Sequence, residues 1–223
     1  MSHCRHPWKT RICPIIGPII CPIIGLGLAV GVLMTGCRSF TPSVSYYTLS
    51  GISVSDTKTD ASDKGPTGAP LVIGISSVDI PGYVNRLQMV TRSGDNNVRI
   101  SETRRWADYP DRLVKRVIGE NLQALIPDSH VFNAPWPPAI RPDVMVSFSF
   151  VELVGTSDRQ VILNVNWTLA PTASPDTVQT FQTLVTEPLN GSGFDALAAA
   201  HSRALEKLCR EVAVAIRKQD VAD

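Results

Sequence analysis

The chain has 223 residues, of which 43% are hydrophobic, 18% charged and 6% aromatic, a composition that excludes collagen-like, coiled-coil and fully disordered classes. Its 17 prolines and 15 glycines are too many for a long helical bundle, and its length can bury one ample core, so mixed α and β structure is expected. The net charge of +1 conceals an asymmetry: residues 1–36 carry Arg5, Lys9 and Arg11 with no acid, which leaves 18 basic against 20 acidic residues beyond them, and a body of charge −2 argues against a nucleic-acid partner.

The basic stretch ending at Arg11 precedes 25 uncharged residues, Ile12 to Gly36, rich in Ile, Leu, Val and Gly. That is the layout of a secretory signal. The length would also allow a retained span, but Pro14, Pro18 and Pro22 interrupt its first half and leave Ile23 to Leu33 as the clean apolar run. The following Leu33-Met34-Thr35-Gly36-Cys37 resembles the lipobox of bacterial lipoproteins, apart from Met34 where Leu is usual. A small residue, Gly36, fits a membrane peptidase before the cut, and Cys37 then carries a diacylglyceryl thioether as the new N-terminus. Acyl chains contribute about 0.8 kcal/mol per buried CH₂, so two or three of them hold a protein permanently. Arg38 follows the cysteine where an Asp would resemble an inner-membrane retention signal, which points to the outer membrane. Cys4, Cys13 and Cys21 leave with the signal, so Cys209 is the one thiol left and no internal disulfide is expected.

Residues 1–36 are thus expected to be the signal, 37–45 a tether and 46–218 one domain, with a tail at 219–223. Tyr46-Tyr47-Thr48-Leu49 reads as the first strand. Residues 51–70, rich in Ser, Thr, Asp, Lys, Gly and Pro, read as a flexible insert. Leu71 to Val78 is a buried strand closed by a turn at Pro81-Gly82. Leu87 to Arg92 and Asn97 to Ser101 flank Ser93-Gly94-Asp95-Asn96 as a hairpin. Asp108-Tyr109-Pro110-Asp111 opens a helix whose apolar stripe runs from Leu113 to Ile126, with Asp able to cap free N–H groups and Pro127 as its stop. Val131-Phe132 is a short strand. Alternation at Asp143–Leu153 and at Gln160–Leu169, with a turn at Gly155-Thr156-Ser157-Asp158, gives two half-buried strands. Val178 to Thr186 continues the meander. Phe194, Leu197, His201, Leu205, Leu208, Val212 and Ile216 step by three and four, marking a long helix from about Gly193 to Lys218. The expected class is α+β, a mostly antiparallel sheet packed on two main helices.

These residues resemble the auxiliary lipoproteins of ABC-type lipid transporters, the PqiC-like group that accompanies MCE-domain proteins. The likeness rests on the lipobox, on Tyr46-Tyr47-Thr48-Leu49, on Val78-Asp79-Ile80-Pro81-Gly82-Tyr83, on Trp106-Ala107-Asp108-Tyr109-Pro110 entering the helix, and on the strands meeting at the Gly155 turn. It covers about residues 45–217 and departs in the polar insert and the unusual signal. It implies a non-catalytic periplasmic subunit without cofactor, lipid-anchored at the outer membrane, which docks an MCE-domain protein working with a permease and an ATPase. The oligomeric state is not fixed by it, and a homo-oligomer stays open. A generic envelope lipoprotein that binds a peptidoglycan enzyme or an envelope-stress partner is the alternative.

The residues themselves offer little chemistry. His130 follows a helix and His201 lies on an apolar stripe, with no Cys/His cluster at metal spacing. Asp108 and Asp111 fall in a helix first turn, where they answer the dipole. Gly191-Ser192-Gly193 lacks the nucleophile-elbow pattern and fits the start of the last helix. No glycine-rich phosphate loop follows a strand. Trp106 is expected to pack on the helix it precedes. Trp136, in Ala134-Pro135-Trp136-Pro137-Pro138, and the pair Arg104-Arg105 are the candidates for a partner contact, each weighed against plain loop packing or solvated surface.

Overall fold

The alternation of Val144, Val146, Phe148 and Phe150 with small polar residues creates a strand with one apolar face, and the rest of the domain is assembled on it. The computed structural model describes residues 42–52, 70–174 and 177–220. Its strands are β1 (Ser45–Tyr47), β2 (Leu71–Asp79), β3 (Gln88–Arg92), β4 (Val98–Trp106), β5 (Ser129–Asn133), β6 (Val144–Thr156), β7 (Gln160–Pro171) and β8 (Gln179–Pro188). The helices are α1 (Pro110–Leu125) and α2 (Gly193–Asp220). The architecture is α+β, as expected.

One edge of β6 carries β7, which in turn carries β8, and these two antiparallel ladders are the longest in the sheet. The other edge carries β2 along its first half and β3 at its end, both parallel. Beyond β2 lies β5, also parallel, and beyond β3 lies β4, antiparallel, followed by a parallel β1. The sheet is therefore mixed. The parallel pairings join strands distant in sequence, which alternation alone does not reveal.

Both helices cover one face. Leu113, Val114, Val117, Ile118 and Leu122 of α1 and Leu197, Leu205, Leu208, Val212 and Ile216 of α2 meet the inward residues of β6 and β7 in one continuous core. Gly155 is part of β6 and not of a turn: a Cβ there would stand 2.3 Å from Leu197 Cδ1, so its lack of a side chain lets α2 lie against the strand. The turn falls instead at residues 157–159, where Arg159 adopts a positive φ of 59°. A second, smaller apolar cluster of Val84, Val90 and Val154 is linked to this core by Ile80, which packs against both, and Val84 and Val90 line a small cavity with Trp106, Leu113 and Leu153 of the core. Val154 falls between the inward residues Leu153 and Gly155, which places its side chain on the opposite, outer side of the sheet.

The first strand ends two residues earlier than expected. Tyr47 O accepts Ala107 N at 2.7 Å, and the chain then turns so that Leu49 enters the core while its carbonyl accepts Arg116 Nη2 at 2.7 Å. The start of α1 also differs: Tyr109 occupies the capping position without a side-chain bond, Asp108 accepts the adjacent Tyr109 N and Arg112 Nη1 rather than an amide of the first turn, and Asn85 Oδ1 accepts Asp111 N at 3.2 Å. A cap from a distant loop replaces the local one. At the other end, Arg217 Nη2 donates to Leu125 O at 2.6 Å, so α2 supplies a donor to the carbonyls that α1 leaves open. Among the described residues no helix is long and apolar enough to cross a membrane.

Leu208 is fully buried in this layer. Leu208→Asp is expected to lower unfolding free energy by about 4 kcal/mol or more, because it buries an unpaired charge. Urea denaturation followed by circular dichroism checks it, and a midpoint equal to wild type would contradict the helix face assigned here.

Candidate functional site

The lipidation residue Cys37 and the cleavage residue Gly36 lie outside the described residues, as does 53–69 of the polar insert. The other candidates are separated by the sheet. Arg104 and Arg105 stand at the end of β4 beside β1, with Ser45 opposite Arg104 and Tyr46 opposite Arg105. Trp136 follows β5 at the other side of β2.

Trp136 is half-buried and turned onto the domain. Gly74 in β2 has room for nothing larger, since a Cβ there would meet Pro142 Cγ at 2.7 Å and Trp136 Cη2 at 3.1 Å. The loop is held further by Ala134 N donating to Ile75 O and Lys115 Nζ donating to Ala134 O. Trp136 thus closes the outer side of β2 with part of its ring. Arg104 Nη1 donates to Ser45 Oγ at 3.0 Å. Arg105 differs: its Nε is buried without a partner among the described residues, and Arg86 Nε, in the segment leading to β3, is in the same condition.

His201 and Cys209 are turned to structural use. His201 is buried beneath Trp106, whose ring meets it edge-on at 5.5 Å, and its Nδ1 lies 2.8 Å from Leu197 O, so Nδ1–H donates to that carbonyl. Burial lowers its pKa to about 4, partly opposed by that hydrogen bond. The neutral ring is therefore the folded form. Cys209 is buried and accepts Asn121 Nδ2 at 3.7 Å, while Asn121 Oδ1 accepts Ile52 N at 2.8 Å. Burial pushes the thiol up to about 12, with the Asn121 hydrogen bond opposing and the Glu206 charge adding to it. Such a thiol is a poor nucleophile and a poor ligand. Among the described residues no three His, Cys, Asp or Glu side chains are placed to hold a metal ion.

Sequence reading missed two polar clusters between α2 and β8, each with a buried member on β8. Glu187 pairs with Arg203 and Lys207, each at 2.6 Å. Its burial would raise the carboxyl pKa, but the hydrogen bonds and charges of Lys207 and Arg203 hold it below the ordinary value. Glu211 accepts the hydroxyl of Thr183 at 2.5 Å, and Thr183 accepts Trp167 Nε1 at 3.1 Å. Beside this chain an open groove of about 350 Å³ runs between β8 and the end of α2, with Trp167 and Phe181 stacked at 4.2 Å in its wall. The available signal was Thr183, Val185 and Glu187 alternating inward on β8, which placed a carboxylate on the helix side.

A histidine whose folded pKa lies near 4 against 6.5 when unfolded contributes stability that is complete above pH 6.5 and is lost as pH falls toward 4. The loss over that window is expected to be about 3 kcal/mol. The difference in urea stability between wild type and His201→Leu, measured from pH 7 to pH 4, isolates it from the carboxylates; a difference independent of pH would refute a buried neutral ring. Cys209 is expected to resist a thiol reagent in the native protein and to react fully in denaturant, and rapid native labelling would contradict its burial.

Comparison with known proteins places this geometry. The solved structure described as an uncharacterized protein matches with a TM-score of 0.64 at 16% identity, covering 78% of this chain and 99% of its own. Protein XCC0632 from Xanthomonas campestris matches with a TM-score of 0.56 at 12% identity, covering 82% of this chain and 100% of its own. At these identities the likeness is one of fold. No curated protein matches the sequence. The model of the family described as the ABC-type transport auxiliary lipoprotein component matches residues 47–213, which include every strand from β2 to β8 and all but the last turns of α2, and the chain belongs to that family.

Proposed function

We infer that the chain is a non-catalytic docking subunit of an intermembrane lipid transport system. It is anchored through Cys37 in the outer membrane, on the periplasmic side, and receives an MCE-domain protein driven by a permease and an ATPase. The observation that carries this reading is the order of parts: a lipobox ending at Cys37 stands just ahead of a domain of the transport-auxiliary family beginning at residue 47. Eight residues separate Cys37 from Tyr46 and extend to at most about 30 Å, so the domain works close to its membrane. A role in position rather than reaction is favoured by the burial of His201, bonded through Nδ1 to Leu197 O, and of Cys209, bonded to Asn121.

Anchoring in this mechanism raises the local concentration of docking sites for a partner that crosses the periplasm. Mass spectrometry is expected to find a mature chain beginning at lipid-modified Cys37, and recovery of a chain starting near Met1 with an unmodified thiol would reject the anchor. In a strain lacking the protein, Cys37→Ser is expected to fail to restore lipid transport although the domain stays folded. An untethered periplasmic domain that restores full transport at native abundance would reject the docking role, and absence of an MCE-domain protein from membrane-extracted complexes would reject the partner.

A further inference from the structure

We propose that the outer face of the β1–β4–β3 arm is a lipid-contact surface, resting on the anionic headgroups of the membrane that holds the anchor. The inference rests on the lipoprotein reading above and adds an orientation to it.

Three observations converge on this face. Val44 and Tyr46 on and before β1, Val98 and Ile100 on β4, and Tyr83 in the segment before β3 are all exposed, Tyr46 by 64%; they make up five of the ten exposed large hydrophobic side chains among the described residues. Register puts them together: Tyr46 lies opposite Arg105, Arg105 opposite Gln88, Val90 opposite Ile100 and Arg92 opposite Val98. Val90 alternates with Met89 of the main core and packs against Val154, so it and its direct strand partners share the outer side. Tyr with scattered aliphatics is the composition of an interfacial surface, since such side chains join an apolar body to a polar tip.

The charge of the face suits anionic lipid. Arg105 on β4 and Arg86 before β3 each bury an Nε that has no partner among the described residues, and Arg99 and Arg104 stand at the rim, against Glu102 and Asp95. Residues 37–223 as a whole are slightly acidic, with 18 basic and 20 acidic side chains, so this arm is a local reversal. A guanidinium on a half-buried stem can lay its methylenes on apolar neighbours and offer its outer N–H groups to phosphate oxygens.

The length of chain ahead of the arm supplies the third argument. β1 is the first element after the tether, and Val44 stands seven residues beyond Cys37, a reach of at most about 25 Å. β8 and its groove lie five strand spacings from β1, about 24 Å across the sheet. Contact through the arm therefore leaves β8 and its groove about 24 Å away along the sheet.

The test is hydrogen–deuterium exchange on the full lipidated chain, reconstituted into vesicles of phosphatidylcholine alone or of phosphatidylcholine mixed with phosphatidylglycerol. Slower exchange at residues 44–47 and 98–105 is expected in the anionic vesicles only, with β6, β7 and α1 unchanged. Arg86→Gln combined with Arg105→Gln is expected to reduce that protection about tenfold, and Tyr46→Ser combined with Ile100→Ser to abolish it. Should a variant unfold, exchange in β6 and β7 rises, and the wild-type comparison of the two vesicles still decides. Equal exchange in both vesicles, or protection on β8 instead, overturns the proposal. The two readings fail separately: an unmodified Cys37 by mass spectrometry removes the anchor and this orientation with it, whereas a lipidated chain whose arm stays unprotected removes the orientation alone.

Discussion

The structure depends on β6 having two occupied edges and one buried face at once. Its 13 residues are long enough for β2 and β3 to stand end to end along one edge while β7 runs along the other, so among the described strands β6 is the link in the sheet between the arm that carries β1 and the layer that carries β5. An irregularity between Phe150 and Glu152 shifts the register midway, and Val154 then reaches the small outer cluster while Gly155 stays beneath Leu197. A bulge of this kind bends the strand and increases its twist, which fits one strand serving two sub-sheets.

The helices are seated on this frame by apolar area and oriented by few polar contacts. Asn121 joins α1 to Cys209 of α2 and to the backbone of Ile52, and Arg217 reaches back to the last carbonyl of α1. Glu187 holds Arg203 and Lys207 against β8. Close packing would tolerate small rotations of a purely aliphatic helix, whereas a buried amide with two partners admits one arrangement. Cys209 belongs to this set of contacts through Asn121, whereas His201 is tied within α2 itself, to Leu197 O one turn back.

Legibility in the sequence followed the range of the interactions. The faces of β6, β7 and α2 could be read because alternation and three-four spacing are local, and Val161, Leu163, Val165, Trp167 and Leu169 all point inward as the pattern requires. Gly155 was read as a turn since its real reason, Leu197 across the layer, is 42 residues away. The Asp108 cap failed for a like cause, with Asn85 taking its place from another loop. Of the candidate residues, Cys37 lies outside the described residues and rests on a contiguous motif alone. The surroundings of Trp136 depend on Gly74 and those of Arg105 on Tyr46 and Gln88, and no spacing along the chain encodes these encounters.

The borders of the polar insert carry a consequence for how this domain can diverge. Ile52 is bonded to Asn121 near the end of α1, and Leu71 N donates to Asp128 O just beyond that helix, so the segment leaves and rejoins the domain at two points belonging to one rigid neighbourhood. Loop closure costs only about 0.6 kcal/mol for each doubling of length. Relatives can therefore lengthen, shorten or replace this stretch with little effect on the frame, and a tag or a foreign module placed there would be carried by the helix while β6 and its neighbours keep their register.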